Sequence, residues 1–391
     1  MPETLSVGSF HINESLLPTG GAEGYIVDLA KSMIHSGIPI HLGTGRVEEL
    51  ALPRISHIIP GIDEKTEGEP LLRQVGEVVV VMEKNELEVV HLHSIDNPGL
   101  YNQLAESFPI IRTVHDSRAV CPTEFRINGT GQLCGVAIGD QCLNCPADGL
   151  EMAIIADKKK TLNALNKLDL VLVPSEYTKE QLVINGVSKE KVEVLPLFVP
   201  TGLEPKPKDV ESHASDILFI GRVVKSKGLA EAIEAVSRIK QSFRFVVCGD
   251  GPDIGTCQKM VIDFEMTDKV KFVGWTDRKE TGKYLAGTGV LVVPSIGPES
   301  FGLVGLEAMY YRKPVVAFNA GGINEWLRSG ENGFLVERGN IDEMTRALSI
   351  LLSSKKTRTD FGNQGKAMAD TEFTIESHKQ KLMGVYSRIK R

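Results

Sequence analysis

Two carboxylates eight positions apart, Glu299 and Glu307, flank a Phe301-Gly302 pair in the run P-S-I-G-P-E-S-F-G-L-V-G-L-E from Pro294 to Glu307. A carboxylate accepts several hydrogen bonds, so such groups suit the hydroxyls of a sugar or ribose. Val290 to Val293 reads as a buried parallel strand, and Leu303, Val304, Leu306, Met309 and Tyr310 predict a helix within the run from Phe301 to Tyr311. A helix start near Ser300 to Gly302 offers unpaired N–H groups and a positive dipole end to a phosphate, and Gly302 permits close approach. A blander reading stands beside this one on spacing alone: Glu299 as a first-turn acid favoured by the dipole, and Glu307 on a solvated face.

Three other loops carry polar groups where strands are expected to end. G-R-V-V-K-S-K-G, residues 221 to 228, supplies Arg222 with a planar fork and Lys227 as a point charge, both suited to phosphate oxygens, with Lys225 as a solvated spare. Gly20 and Gly21 open a helix in T-G-G-A-E-G, where the backbone can approach an anion or sugar closely or simply turn. His115, in T-V-H-D-S-R, is either structural, or donates a hydrogen bond to a hydroxyl, or in its charged form stabilises developing charge.

Four of the six cysteines, Cys121, Cys134, Cys142 and Cys145, fall in one short window rich in glycine and poor in core residues. Thiolates bind zinc tetrahedrally, and a segment without a core gains most from a metal staple. Structural zinc, disulfides and free thiols are the alternatives, and zinc is preferred for a reducing compartment.

The signature Glu299, Phe301, Gly302 and Glu307 resembles that of the retaining glycosyltransferases of family 4, which have the GT-B fold: two doubly wound Rossmann-like domains facing each other across a cleft. The resemblance implies transfer of a sugar, of hexosyltransferase type, from a nucleotide diphosphate sugar to an acceptor hydroxyl, with retention of configuration. It implies that Glu299 holds donor-sugar hydroxyls, that Glu307 holds the ribose, and that Phe301, Gly302 and Leu303 line the donor. Arg222 and Lys227 match the basic pair that neutralises the leaving diphosphate, and Gly20 and Gly21 match a Gly-Gly-Ala-Glu that faces it. The nucleotide base falls near Val273 and Gly274, and His115 near the reacting carbon. Some members carry a similar Cys-rich insertion, here about residues 119–148. The family needs no catalytic metal, and no Asp-x-Asp motif is present.

These residues need a frame, and the pattern of strand, helix, strand runs through the chain twice. Leu5–Phe10, Ile38–Thr44, Glu88–Leu92, Ile110–His115, Leu170–Pro174 and Val192–Leu195 read as strands of a first parallel sheet. Asp216–Ile220, Phe243–Val247, Val270–Val273, Val290–Val293, Pro314–Phe318 and Gly333–Val336 read as a second. The expected division is an acceptor-side domain 1–198, a proline-rich linker 199–215, a nucleotide-sugar domain 216–372, and a terminal helix 373–391 that the resemblance sends back to the first domain.

The net charge of -7 is uneven: residues 1 to 195 hold 16 Lys+Arg against 27 Asp+Glu, and residues 196 to 391 hold 28 against 24. A basic second half suits a diphosphate, and an acidic first half disfavours nucleic acid and anionic membranes. No apolar run reaches the length of a membrane span and the first residues do not read as a signal peptide, so a cytoplasmic chain is expected, with peripheral membrane contact not indicated. The expected context is polysaccharide, lipopolysaccharide or glycoconjugate synthesis, with a sugar-containing or small-molecule acceptor. Natural-product glycosylation, a nucleotide-sugar epimerase, a glycosyl phosphorylase and a non-enzymatic sugar-binding protein are the alternatives. A nicotinamide dehydrogenase is disfavoured because G-D-G-P-D-I-G at 249 to 255 misspells the dinucleotide fingerprint.

Overall fold

The computed structural model describes residues 7–390 except 18–19, 47–51, 124–125, 129–131, 146–150, 205–212 and 214. The chain divides into two compact units, Met1–Leu197 with Ile375–Arg391, and Phe198–Thr374. Much of the proline-rich linker and part of the Cys-rich insertion lie outside the described residues.

The first unit holds a seven-stranded sheet of β1 Ser9–Ile12, β2 Ile40–Thr44, β3 Ser56–Ile58, β4 Val89–Leu92, β5 Ile110–Thr113, β6 Leu170–Val173 and β7 Val192–Val194, ordered β3-β2-β1-β4-β5-β6-β7. Every pairing is parallel. The second unit holds β8 Asp216–Ile220, β9 Arg244–Cys248, β10 Val270–Gly274, β11 Val290–Val293, β12 Val315–Phe318 and β13 Gly333–Val336, ordered β10-β9-β8-β11-β12-β13 and also all parallel. These are two Rossmann-like sheets. In each, chain direction across the sheet reverses beside the first strand, between β1 and β4 and between β8 and β11, and ligands of such sheets bind beyond the carboxyl ends of strands at that point.

Burial explains why these segments become strands. The apolar, β-branched runs Val89–Val90 and Val290–Val293 are at most 6% exposed, as sheets covered on both faces require. A separate apolar core fills each unit, one around Phe10, Val90 and Ile110 and one around Phe245, Val290 and Val316. Two details differ from the sequence expectation. The first strand is Ser9–Ile12 rather than Leu5–Phe10, whose first two residues lie outside the described ones. The short edge strand β3 goes unread because S-H-I has no alternation to mark it.

The terminal helix Ile375–Ile389 belongs to the first unit, where its buried face of His378, Leu382, Val385 and Tyr386 packs. The Tyr25 hydroxyl, on the helix Gly21–His35, lies 2.8 Å from His378 Nε2.

Candidate functional site

The loops after β8 and β11 flank the reversal point of the second unit, and glycine lets them touch. Gly228 has φ 70°, and a Cβ there would stand 1.8 Å from the Pro294 carbonyl oxygen, a backbone atom that cannot yield. Beside it, Gly297 N–H donates to the Ser226 carbonyl at 2.8 Å. The two loops are thereby held in register, and Lys227 Nζ donates to Glu299 Oε1 and Oε2 at 2.7 and 2.9 Å.

The loop after β12 secures Glu299 from its other side. Gly322 N–H donates to the Glu299 carbonyl at 2.7 Å, and Glu299 N–H donates to the Ala320 carbonyl at 3.3 Å. The Ser295 hydroxyl donates to Glu299 Oε1. Burial alone would raise this carboxyl, but the Lys227 ammonium and the hydrogen bonds from Lys227 and Ser295 hold it below its ordinary value. Glu299 is therefore ionised at neutral pH, with its side chain 13% exposed. It precedes the helix Leu303–Tyr310, so it is not a first-turn acid.

Lys227 is joined to Glu299 and still has a third ammonium proton to offer a ligand oxygen. Arg222 follows the end of β8 and is exposed, as is Lys225. Glu307 is half-buried in the helix Leu303–Tyr310, whose N-cap is Gly302. Val273 and Gly274 end β10, and the Gly274 carbonyl accepts from Gly249 N–H at 2.7 Å.

One residue of this site escaped the sequence reading. Trp326 is fully buried and donates from Nε1 to the Phe301 carbonyl at 2.6 Å. Gly305 lies so close to its ring that an added Cβ would stand 2.1 Å away. The ring thus forms a floor beside Phe301, itself fully buried, and under Gly302, which caps the helix. The available signal was a tryptophan, one of two in the chain, closing G-G-I-N-E-W directly after a predicted strand.

In the first unit, His115 stands two residues beyond β5 and lines a cavity of about 230 Å³ with Glu14, His93, Arg112, Thr113 and Arg118 among others. Its Nε2 is 2.9 Å from His93 Nδ1. Burial pulls His115 down to about 4, against the opposing pull of Asp116. The ring is therefore neutral near pH 7, which favours hydrogen bonding over charge stabilisation. Asp116 accepts from the Arg118 backbone N–H and Nε, both at 2.8 Å, and Arg118 also reaches Glu14. Gly20 caps the helix Gly21–His35 in an extended conformation, and both Gly20 and Gly21 are exposed.

All six cysteines are free thiols, so the disulfide alternative is not the state described. Cys121 and Cys142 are buried, and Cys134 and Cys145 are half-buried. Burial first, then Cys142, Cys121 and Cys134, raises the Cys145 thiol. They do not form a closed ligand set: among the described residues, the group of three or more whose ligand atoms lie within 4.8 Å of one another is His11, His91 and His93. Those imidazoles are poor metal ligands as they stand. Their rings are stacked at 19 and 24° or tilted at 40°, and their nitrogens already meet one another or neighbouring hydroxyls.

Residues 19–203 match the family model "Glycosyltransferase Family 4" and residues 204–368 match "Glycosyl transferases group 1". The chain is 29% identical over 193 residues to the lipopolysaccharide core biosynthesis glycosyltransferase LpsE of Rhizobium meliloti, covering 48% of this chain and 56% of that one. It is 26% identical to the amylovoran biosynthesis glycosyltransferase AmsK of Erwinia amylovora, covering 62% of each. A D-inositol 3-phosphate glycosyltransferase of Pseudarthrobacter chlorophenolicus is 24% identical over 92% of this chain and 90% of its own. Two of these three matches thus span only about half to two thirds of the relative. Among solved structures, Anabaena HepE in complex with UDP and glucose superposes with a TM-score of 0.74 at 19% identity, covering 98% of this chain and all of that one. Sucrose-phosphate synthase from Thermosynechococcus elongatus gives 0.74 at 19% identity, covering 98% of each. With two parallel Rossmann-like sheets and a matching domain model for each half, the chain belongs to the GT-B glycosyltransferases, a Glycosyltransferase Family 4 domain followed by a group 1 domain.

Proposed function

We propose that this chain is a retaining glycosyltransferase that moves a sugar from a nucleotide diphosphate sugar to an acceptor hydroxyl in polysaccharide or lipopolysaccharide assembly. The observation that carries the reading is the Lys227–Glu299 pair at the reversal point of the second sheet. An ionised carboxylate and an ammonium side by side offer acceptors to sugar hydroxyls and a donor to the phosphate that joins them. Arg222 adds a planar fork for the diphosphate, Glu307 acts on the ribose, and Val273 and Gly274 lie along the base. Phe301, Gly302 and Leu303 support the donor, and Gly20 and Gly21 face the diphosphate. His115 meets the sugar near its reacting carbon. Fixed charges of this kind stabilise the departing diphosphate without reorganisation and without a catalytic metal. The names of LpsE and AmsK support the assembly context. Among the described residues no helix is long and apolar enough to cross a membrane, which is consistent with the cytoplasmic location we assign.

Binding is the first test. A panel of nucleotides and nucleotide sugars should raise the melting temperature selectively, by about 2.7 kcal/mol of added stability at a hundredfold excess over Kd. A panel in which no nucleotide diphosphate or nucleotide sugar stabilises the chain contradicts the reading.

We also propose that Cys121, Cys134, Cys142 and Cys145 hold a structural zinc in the purified protein. Four thiols in one segment, three of which raise the fourth, are the donor set zinc takes, although binding must draw them closer than they stand. Elemental analysis should find one zinc per chain, lost together with thermal stability on chelation. A zinc-free chain with all four thiols open to alkylation overturns it.

A further inference from the structure

Beneath His115 runs an unbroken line of buried polar side chains within the first unit. His115 Nε2 lies 2.9 Å from His93 Nδ1, and His93 Nε2 lies 3.0 Å from His11 Nδ1. His11 Nε2 lies 2.9 Å from the Tyr386 hydroxyl, with Ser9 Oγ at 3.2 Å. That hydroxyl is 2.6 Å from His91 Nδ1, and His91 Nε2 is 2.7 Å from Thr113 Oγ1. His11, His91 and His93 are fully buried, as is Tyr386, which the terminal helix contributes. Burial lowers all four histidines. Each ring is therefore neutral near pH 7, with one N–H and one bare nitrogen.

Neutral rings joined directly, as His115, His93 and His11 are, must point the same way, and Tyr386 extends that direction to His91 when it gives its one proton there. If His115 donates from Nε2, then His93 accepts at Nδ1 and donates from Nε2 to His11. His11 in turn donates from Nε2 to Tyr386, Tyr386 donates to His91 Nδ1, and His91 donates from Nε2 to Thr113. In this direction all four imidazoles take the Nε2–H tautomer, the lower-energy form of an isolated histidine side chain. The reverse direction forces all four into the less favoured form. Nothing competes at the other end of the line, because His115 Nδ1 has no hydrogen-bond partner among the described residues.

Resting on the proposed role of His115 toward the sugar, we infer that His93, His11, Tyr386 and His91 are positioning residues that keep the His115 proton on Nε2. His115 then offers a bare Nδ1 to the cavity, where it accepts a hydrogen bond from a substrate hydroxyl. This reverses the donor role read from the sequence. A ligand that brings O–H to this point is favoured over one that brings only an acceptor, such as a fluoro or O-methyl analogue, because the latter leaves a buried lone pair facing another.

The first test needs no substrate. In the ¹⁵N spectrum of the histidine-labelled protein at pH 7.5, His115 should show a protonated Nε2 and a bare Nδ1, and Tyr386→Phe should shift it toward a mixture of tautomers. A wild-type His115 protonated on Nδ1 overturns the inference. In turnover, Tyr386→Phe should lower kcat about tenfold with the donor KM within about twofold. The same change should cost nothing further in a His115→Ala background. An equal loss in both backgrounds would mean that Tyr386 only packs the helix, and also overturns the inference. If the spectrum is as expected but no donor is turned over, the transferase reading fails while the tautomer assignment stands.

Discussion

Glu299→Gln should lower kcat/KM for sugar transfer at least about a hundredfold, equivalent to roughly 2.7 kcal/mol of transition-state stabilisation. The amide keeps the size of the side chain but removes the charge that orders Lys227, and it replaces one strong acceptor for sugar hydroxyls with a donor. The fold should survive, because Lys227 is 37% exposed and can turn its ammonium to water, and the backbone of residue 299 is held independently by Ala320 and Gly322. Steady-state kinetics on a variant with a wild-type melting temperature check this. Unchanged turnover removes Glu299 from the sugar's contacts.

The second large effect is acid lability confined to the first unit. His11 is lowered to about 3 and His378 to about 4, with His91 and His93 well below their ordinary value, in each case first by burial. A histidine whose folded pKa lies below its unfolded value of about 6.5 binds its proton more readily unfolded, so stability is lost as pH falls below about 6.5 and until the folded value is reached. Each such group costs about 1.4 kcal/mol per pH unit, so His11 and His378 alone remove about 3 kcal/mol by pH 5.5. The groups around His115 do not cancel this, since Arg118, Arg112 and His378 oppose its protonation and only Asp116 favours it. In the second unit the sole histidine is His213, and the lowered Glu299 carboxyl loses its contribution only as pH falls below about 4.5. Hydrogen exchange across a pH series should therefore show β1 and β4 opening between about pH 6.5 and 5 while β8 and β11 stay protected. Equal protection of both units at pH 5 contradicts the account.

The parts of this molecule that were legible in its sequence share a physical cause. Val290–Val293 reads as a strand because a sheet covered on both faces needs a continuous β-branched run, and Gly302 marks a helix start because the backbone there is left-handed. Glu299, Lys227 and His115 stood out as polar groups at strand ends, and the structure puts the first two in contact. What was illegible depends on contacts far apart in the chain. The Trp326 bond to the Phe301 carbonyl and the Gly228 approach to Pro294 have no local signature. The sequence marks 373–391 only as a terminal helix, and only the fold brings its Tyr386 to within 2.9 Å of His11, 375 positions away. The charge state of His115 was likewise undecidable until its burial was known.

The central claim is that this chain transfers a sugar from a nucleotide diphosphate donor with its configuration retained. Incubation of the purified protein with a donor and acceptor panel, followed by ¹H NMR of the mixture, tests it most directly. The account predicts stoichiometric release of nucleoside diphosphate and a glycoside with the donor's own anomeric configuration, and neither product with Glu299→Gln. Inversion at the anomeric carbon, or a bound donor that is never consumed with any acceptor, would contradict it.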